Sequence, residues 1–135
     1  MGTIGNIQAG MTREEVFLVE EKHTAYHIGS GDTKVLATPW MISFMERVSN
    51  RLLADCLPEE FITVGTRVDV RHLAATPVNA KVMVHVEVLE VLDRRITLRI
   101  EAWDNEEILG EGLHERVIVN RERFLKKAVE KNAVR

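Results

Sequence analysis

Three polar side chains in this 135-residue chain are of kinds that move protons or attack a carbonyl carbon: the hydroxyl of Thr38, the carboxylate of Glu46 and the imidazole of His72. A carboxylate can serve as nucleophile or general base, and a histidine titrates near working pH, so the set suits acyl transfer or hydrolysis. Each also has an ordinary explanation. Thr38 precedes Pro39 and an apolar run at helical spacing, where a hydroxyl caps an orphan backbone N–H. Glu46 falls with Ser43, Arg47, Asn50 and Arg51 on what reads as the solvated side of that helix. His72 is the polar member of an inward-looking strand set, Val64, Val68 and Val70, and a lone histidine there is more often a satisfied core residue than a base. Taken singly, none of the three marks an enzyme.

The remaining candidates carry less. His23 and His27 would share a strand face at a four-residue interval, but no cysteine or carboxylate signature accompanies them, so no metal site is expected. His85 on its strand reads as structural or exposed. Cys56 lacks the basic or glycine-rich surroundings that would lower a thiol pKa. Gly110 and Gly112 lie inside a strand pattern and indicate a bulge or a close backbone approach, not a phosphate loop. The basic residues Arg121, Arg123, Lys126 and Lys127 alternate with acids and read as solvated, although they could meet the phosphates of a large anionic ligand.

These side chains need elements to position them. Residues 1–10 are small and polar and read as a loose lead-in to a single domain over residues 11–135. Two short apolar patches, Glu14 to Val19 and Ala25 to Ile28, read as short strands, and Gly29-Ser30-Gly31-Asp32 breaks the pattern as a loop. Met41, Phe44, Met45, Val48 and Leu52 recur at three-and-four spacing, which predicts a helix over about 39–55, closed by Cys56-Leu57-Pro58. From Phe61 the period becomes two. Strands are expected up to His72, through Val82, Val84, Val86 and Val88, through Ile96, Leu98, Ile100 and Ala102, and from Ile108 to Val119. The short links at Asp93-Arg94 and Asp104-Asn105 make neighbours antiparallel. A charged surface helix follows from Arg121 to Lys131.

Composition removes several function classes. A net charge of −3 with pI near 6.0 argues against phosphate-backbone binding, and 5% aromatic residues against a base-stacking platform, so no nucleic-acid partner is expected. No apolar run approaches a membrane span and no leader pattern opens the chain. A single cysteine excludes an internal disulfide and points to a reducing compartment, which places the expected location in the cytoplasm.

A long helix rich in Met, Phe and Val must bury its stripe, and the only large face available is the concave side of the antiparallel sheet. The expected fold class is therefore α+β, a curved antiparallel sheet wrapped around one central helix, the hot-dog fold. Open sheet edges favour pairing with a second copy, hence a homodimer or a dimer of dimers.

From about Thr38 to Lys126 the chain resembles the fluoroacetyl-CoA thioesterase and the wider group of hot-dog acyl-CoA thioesterases around it. The segments Arg71-His72-Leu73-Ala74-Ala75-Thr76-Pro77 and Gly112-Leu113-His114-Glu115-Arg116 look especially close. The resemblance implies catalytic roles for Thr38, Glu46 and His72, which align without gaps, and substrate contacts for Gly65 and Arg116. It also implies a coenzyme A thioester as substrate and no separate cofactor. Two positions depart from the pattern. Asp32 stands where the fluoroacetyl enzyme has a lid aromatic, so the thioesterase chemistry carries over and that particular acyl group does not. Pro39 stands in place of a glycine and lacks a backbone donor.

Geometry adds an independent constraint. Thr38 and Glu46 are eight positions apart, so a helix holds them roughly 12 Å apart along its axis. If both act on one thioester, they must come from different protomers. The expected activity is hydrolysis of a small to medium acyl-CoA at a dimer interface. The alternative is a non-catalytic hot-dog protein that binds acyl-CoA or an acyl ligand. A hot-dog hydratase would pair an aspartate with a nearby histidine, and no such pair is evident.

Overall fold

A computed structural model of the chain describes residues 4–133. Strand β1 (Thr12–Leu18) leads through a single 3-10 turn (Glu21–His23) into a four-residue helix α1 (Ala25–Ile28) and then the long helix α2 (Thr38–Ala54). Strands β2 (Phe61–His72), β3 (Lys81–Leu92), β4 (Arg95–Trp103) and β5 (Ile108–Asn120) follow, and α3 (Arg121–Ala133) ends the described chain. All pairings are antiparallel, in the order β1-β3-β4-β5-β2. The two edges are thus the short β1 and the twelve-residue β2.

The expected core forms as the periodicities require. Helix α2 buries Met41, Phe44, Met45, Val48, Leu52 and Leu53. Against them lie the inward residues of β3 and β4, Val82, Val84, Val86 and Val88 with Ile96, Leu98, Ile100 and Ala102. The apolar stripe of the helix and one face of the sheet remove each other from water, and this mutual burial holds α2 in the concave sheet. The Asp93-Arg94 reversal is tight because Asp93 adopts a left-handed backbone, φ 57°. Residues 4–10 form no helix or strand, yet Ile7 is buried and the Asn6 N–H donates to the Cys56 carbonyl.

Three local expectations are corrected. Ala25–Ile28 is a helical turn, not a strand, because the Thr24 hydroxyl accepts from the His27 N–H and Gly29 closes the turn at φ 77°. His23 is consequently buried and His27 exposed, not two neighbours on one strand face. Helix α2 begins at Thr38 with Ala37 at its N-cap, and no side chain caps it, so the Thr38 hydroxyl is available for another partner.

The third correction concerns which side chains of β2 face inward. Between Gly65 and Arg67 the pairing with β5 slips by one residue. A bulge of this kind reverses the alternation on either side of it. Opposite the inward row of β5, Gly110, Gly112, His114, Arg116 and Ile118, the register sets His72, Val70, Val68, Gly65 and Thr63. Val64 pairs with Val117 and faces outward, while Thr63 is buried in its stead. The expected close approach at the β5 glycines is present: a Cβ on Gly110 would lie 2.5 Å from Met41 Sδ, and one on Gly112 would collide with the Asp69 carbonyl.

Candidate active site

Thr38 sits in the first turn of α2 and His72 at the last position of β2, and the two elements converge at one corner of the sheet. Thr38 Oγ1 lies 2.7 Å from His72 Nδ1. Burial pushes the His72 pKa below its ordinary value, with a backbone contact at Ala74 opposing in part, so the ring is held neutral. Its Nε2 is enclosed and has no hydrogen-bond partner among the described residues. A neutral imidazole with one nitrogen fixed by a hydroxyl and the other uncommitted is a competent proton acceptor.

The pair opens onto a cleft of about 450 Å³ lined by Ala25, Ser30, Gly31, Val35, Leu73 and Ala74 among others. Trp40 and Phe44 take no part in it. They pack instead with His23 and Phe17, the His23 ring centroid lying 4.5 Å from that of Trp40 and 5.1 Å from that of Phe44. The helix start contributes little free donor capacity, because Pro39 has no N–H and Trp40 already donates to the Ala37 carbonyl at 3.0 Å. The Thr38 N–H has no hydrogen-bond partner among the described residues.

Glu46 lies two turns further along α2, in a second cluster. Its carboxylate stands over Gly65, where a Cβ would fall 2.9 Å from Glu46 Oε2, and 3.8 Å from Arg116 Nη1. Gly65 is therefore the position whose missing side chain makes room for the carboxylate. Arg116 is 6% exposed, and its guanidinium is held from several sides. Nε donates to Thr63 Oγ1 at 2.9 Å, and Nη2 donates to the Thr63 carbonyl at 2.9 Å and to Asn50 Oδ1 at 3.3 Å. Nη1 meets His114 Nε2 at 3.2 Å. Burial lowers the arginine pKa, with Glu46 opposing.

His114 was not among the residues singled out by sequence, beyond lying in a segment that resembles the family. It is almost fully buried, and its Nδ1 is 2.9 Å from the Arg67 carbonyl at the β2 bulge. A carbonyl only accepts, so Nδ1 carries the proton and Nε2 offers its lone pair to Arg116. The signal that could have found it is the two-residue period of β5, which places Gly110, Gly112, His114 and Arg116 on one face.

Within one chain the sequence-predicted residues thus fall into two groups. Thr38 and His72 meet at one place, and Glu46, Gly65 and Arg116 at another. Along β2 the seven steps from Gly65 to His72, less one for the bulge, amount to roughly 20 Å. The other residues weighed for chemistry lie elsewhere. Cys56 is half-buried with its thiol pKa raised by burial, and His85 Nδ1 lies 2.9 Å from Glu14 on the outer face. Among the described residues no group of three potential metal ligands occurs, and no helix is long and apolar enough to cross a membrane.

Comparison with known proteins places this arrangement. Residues 19–122 match the family model described as FlK, fluoroacetyl-CoA-specific thioesterase. The fluoroacetyl-CoA thioesterase of Streptantibioticus cattleyicolor is 36% identical over 98 residues, covering 73% of this chain and 70% of that protein. A solved structure of the fluoroacetyl-CoA thioesterase FlK superposes with TM-score 0.88 at 30% identity, covering 93% of this chain and 98% of the other. A structure of an FlK variant in complex with fluoroacetate and CoA gives TM-score 0.83 at 31% identity, over 87% and 99% of the two chains. A hot-dog-like protein from Thermanaerovibrio acidaminovorans gives 0.84 at 28% identity, over 91% of each. With the expected hot-dog architecture present in backbone and sequence alike, the chain belongs to the fluoroacetyl-CoA-specific thioesterase family.

Proposed function

We propose that the protein is an acyl-CoA thioesterase that hydrolyses small to medium acyl groups, with Thr38, Glu46 and His72 as its catalytic residues. The observation that carries the reading is the division of one chain into two half-sites: a hydroxyl–imidazole pair at one end of β2, and a carboxylate over a glycine nearer its middle. Neither half is sufficient alone. Strand β2 is a long unpaired edge whose Gly65 to Asp69 stretch is exposed, and such an edge pairs readily with a copy of itself. Antiparallel pairing about a two-fold axis near Val68 and Asp69 sets the His72 end of one β2 opposite the Thr63–Gly65 end of the other. His72 and Gly65 both face the helix layer, so the halves meet on the same side of the joined sheet. The protein is accordingly read as a homodimer with composite sites.

In that composite site the thioester carbonyl oxygen is received by the positive start of α2 and the Thr38 N–H. Glu46 either attacks the carbonyl carbon or draws a proton from the attacking water. When water attacks directly, His72 passes the proton that Glu46 draws from the water on to the departing coenzyme A thiolate. When Glu46 attacks, the thiolate leaves first and is protonated from solvent, and the neutral His72 then takes the proton of the water that opens the acyl–glutamyl anhydride. Either route ends in thiol, carboxylate and one released proton. Thr38 orients the imidazole through its hydrogen bond, and Arg116 supplies positive potential to the glutamate. Hydrolysis of a thioester needs nothing further, so coenzyme A enters only as part of the substrate. The loop carrying Asp32 contributes Ser30, Gly31 and Thr33 to the cleft and no aromatic ring, which fits an acyl preference not tied to fluorine. The lone Cys56 fits a reducing compartment such as the cytoplasm.

The direct test is thiol release from a panel of acyl-CoAs, followed with a thiol reagent. The wild-type protein should turn over short and medium acyl-CoAs, and Glu46→Ala should lower kcat by about a hundredfold or more with the fold intact. Tight binding of acyl-CoA without thiol release would select the non-catalytic alternative.

A further inference from the structure

We propose that His114 is a positioning residue that restrains Arg116 from closing onto Glu46, and so keeps the carboxylate free to react. The inference rests on the reading of Glu46 as the reacting carboxylate and adds a role to a residue outside the catalytic set.

A guanidinium has five N–H donors in a rigid planar fork. Thr63 and Asn50 take the three on Nε and Nη2, and His114 Nε2 takes one of the two on Nη1. The fifth is left facing Glu46, whose Oε2 is 3.8 Å from Nη1, beyond hydrogen-bond distance. The arginine is thus close enough to impose its charge and too far to make a full charge-assisted pair. That separation matters chemically. A carboxylate drawn into a short charge-assisted hydrogen bond from Nη1 has a lone pair engaged and is a poorer nucleophile or base.

The restraint depends on His114 being an acceptor, and its surroundings keep it one. The Arg67 carbonyl on β2 fixes the Nδ1–H tautomer, Arg116 on β5 faces Nε2, and Glu46 reaches the same cluster from α2. Burial depresses the imidazole pKa, the Arg67 bond raises it in part, and the charge of Arg116 lowers it again while Glu46 opposes. An imidazolium here would point one N–H at another. The bulge between Gly65 and Arg67 therefore has two effects: it aims the Arg67 carbonyl at His114, and it turns Gly65 under the carboxylate.

The test compares His114→Phe, which keeps the ring and removes both hydrogen bonds, with His114→Gln, whose amide oxygen can still accept from Arg116. His114→Phe should reduce kcat about tenfold or more with KM little changed, and should move the acid limb of the pH–rate profile to lower pH, because the closed pair favours an ionised carboxylate. His114→Gln should hold kcat within about threefold and leave the limb in place. Unchanged kcat with an unmoved limb in folded His114→Phe would overturn the proposal, as would a limb displaced to higher pH. Should His114→Phe not fold, nitrogen-15 NMR of the unmutated protein decides. A neutral His114 ring protonated at Nδ1 at pH 7 is required, and an imidazolium or the other tautomer contradicts it. Glu46→Gln, measured in parallel, separates the two ideas: an active Glu46→Gln protein removes the underlying reading, while an inactive one with His114→Phe unmoved removes only the role of His114.

Discussion

Thr38 Oγ1 and His72 Nδ1 stand 2.7 Å from each other although the two residues are 34 positions apart in sequence. The contact is made because α2 starts at Thr38 without a side-chain cap, leaving the hydroxyl free to turn toward the end of β2. A threonine that reads as a helix cap is, in the fold, the partner of the histidine.

Removing that hydroxyl should therefore disturb chemistry more than helix stability. Thr38→Val is expected to lower kcat by about tenfold to a hundredfold while changing the melting temperature by only a few degrees, since no cap bond is lost. Thr38→Ser should restore most of the rate. Calorimetry beside steady-state kinetics checks the split, and a large fall in stability with an unaltered kcat would return Thr38 to a structural role.

Gly65 makes a second, steric prediction. A methyl group there would sit 2.9 Å from Glu46 Oε2 and 3.2 Å from His114 Cε1. Gly65→Ala should displace the carboxylate and cost about tenfold or more in kcat, with the strand retained. Its φ lies outside the left-handed region, so backbone strain is no competing explanation. Turnover equal to wild type would show that the carboxylate does not work from the place where it is seen.

Acid sensitivity follows from the buried imidazoles. His23, His72 and His114 all have pKa values lowered chiefly by burial. In the unfolded chain they take up protons below about pH 6.5, whereas the fold keeps them neutral, so the unfolded state binds more protons. Stability should be full above that pH and should fall as the pH drops through the depressed folded values. Glu15 acts in the same direction only lower down. Burial raises its pKa, but the Arg13 and Arg51 side chains outweigh this and bring it below 4.5. Melting temperatures at pH 7.5 and 5.5 thus isolate the histidines: a lower value at pH 5.5 is expected, and His114→Gln should narrow the gap.

How much of this was legible follows from which signals were periodic. Met41, Phe44, Met45, Val48 and Leu52 announced α2, and the alternating valines announced β3, because helix and strand periods are set by backbone geometry. The one-residue slip at Gly65 left no such mark. It reverses the faces of β2, so the strand period points Val64 inward while the fold gives that side to Thr63 and Gly65. The apolar patch Ala25–Ile28 reads as a strand because the determinants of its helical turn, Thr24 and Gly29, lie outside the patch. His114 was hidden by its neighbours, since an alternation containing Glu111, Glu115 and two glycines does not look like a buried face. The convergence of Thr38 on His72 depends on where two distant elements end, which no local pattern encodes.

Catalysis shared between protomers is tested most directly by mixing inactive variants. Glu46→Ala and His72→Ala chains, each folded and inactive, should regain thiol release when unfolded together and refolded. Random pairing makes half the dimers mixed, each with one intact site, so about a quarter of wild-type activity is predicted. A refolded mixture of well-formed dimers that stays as inactive as its components would contradict it.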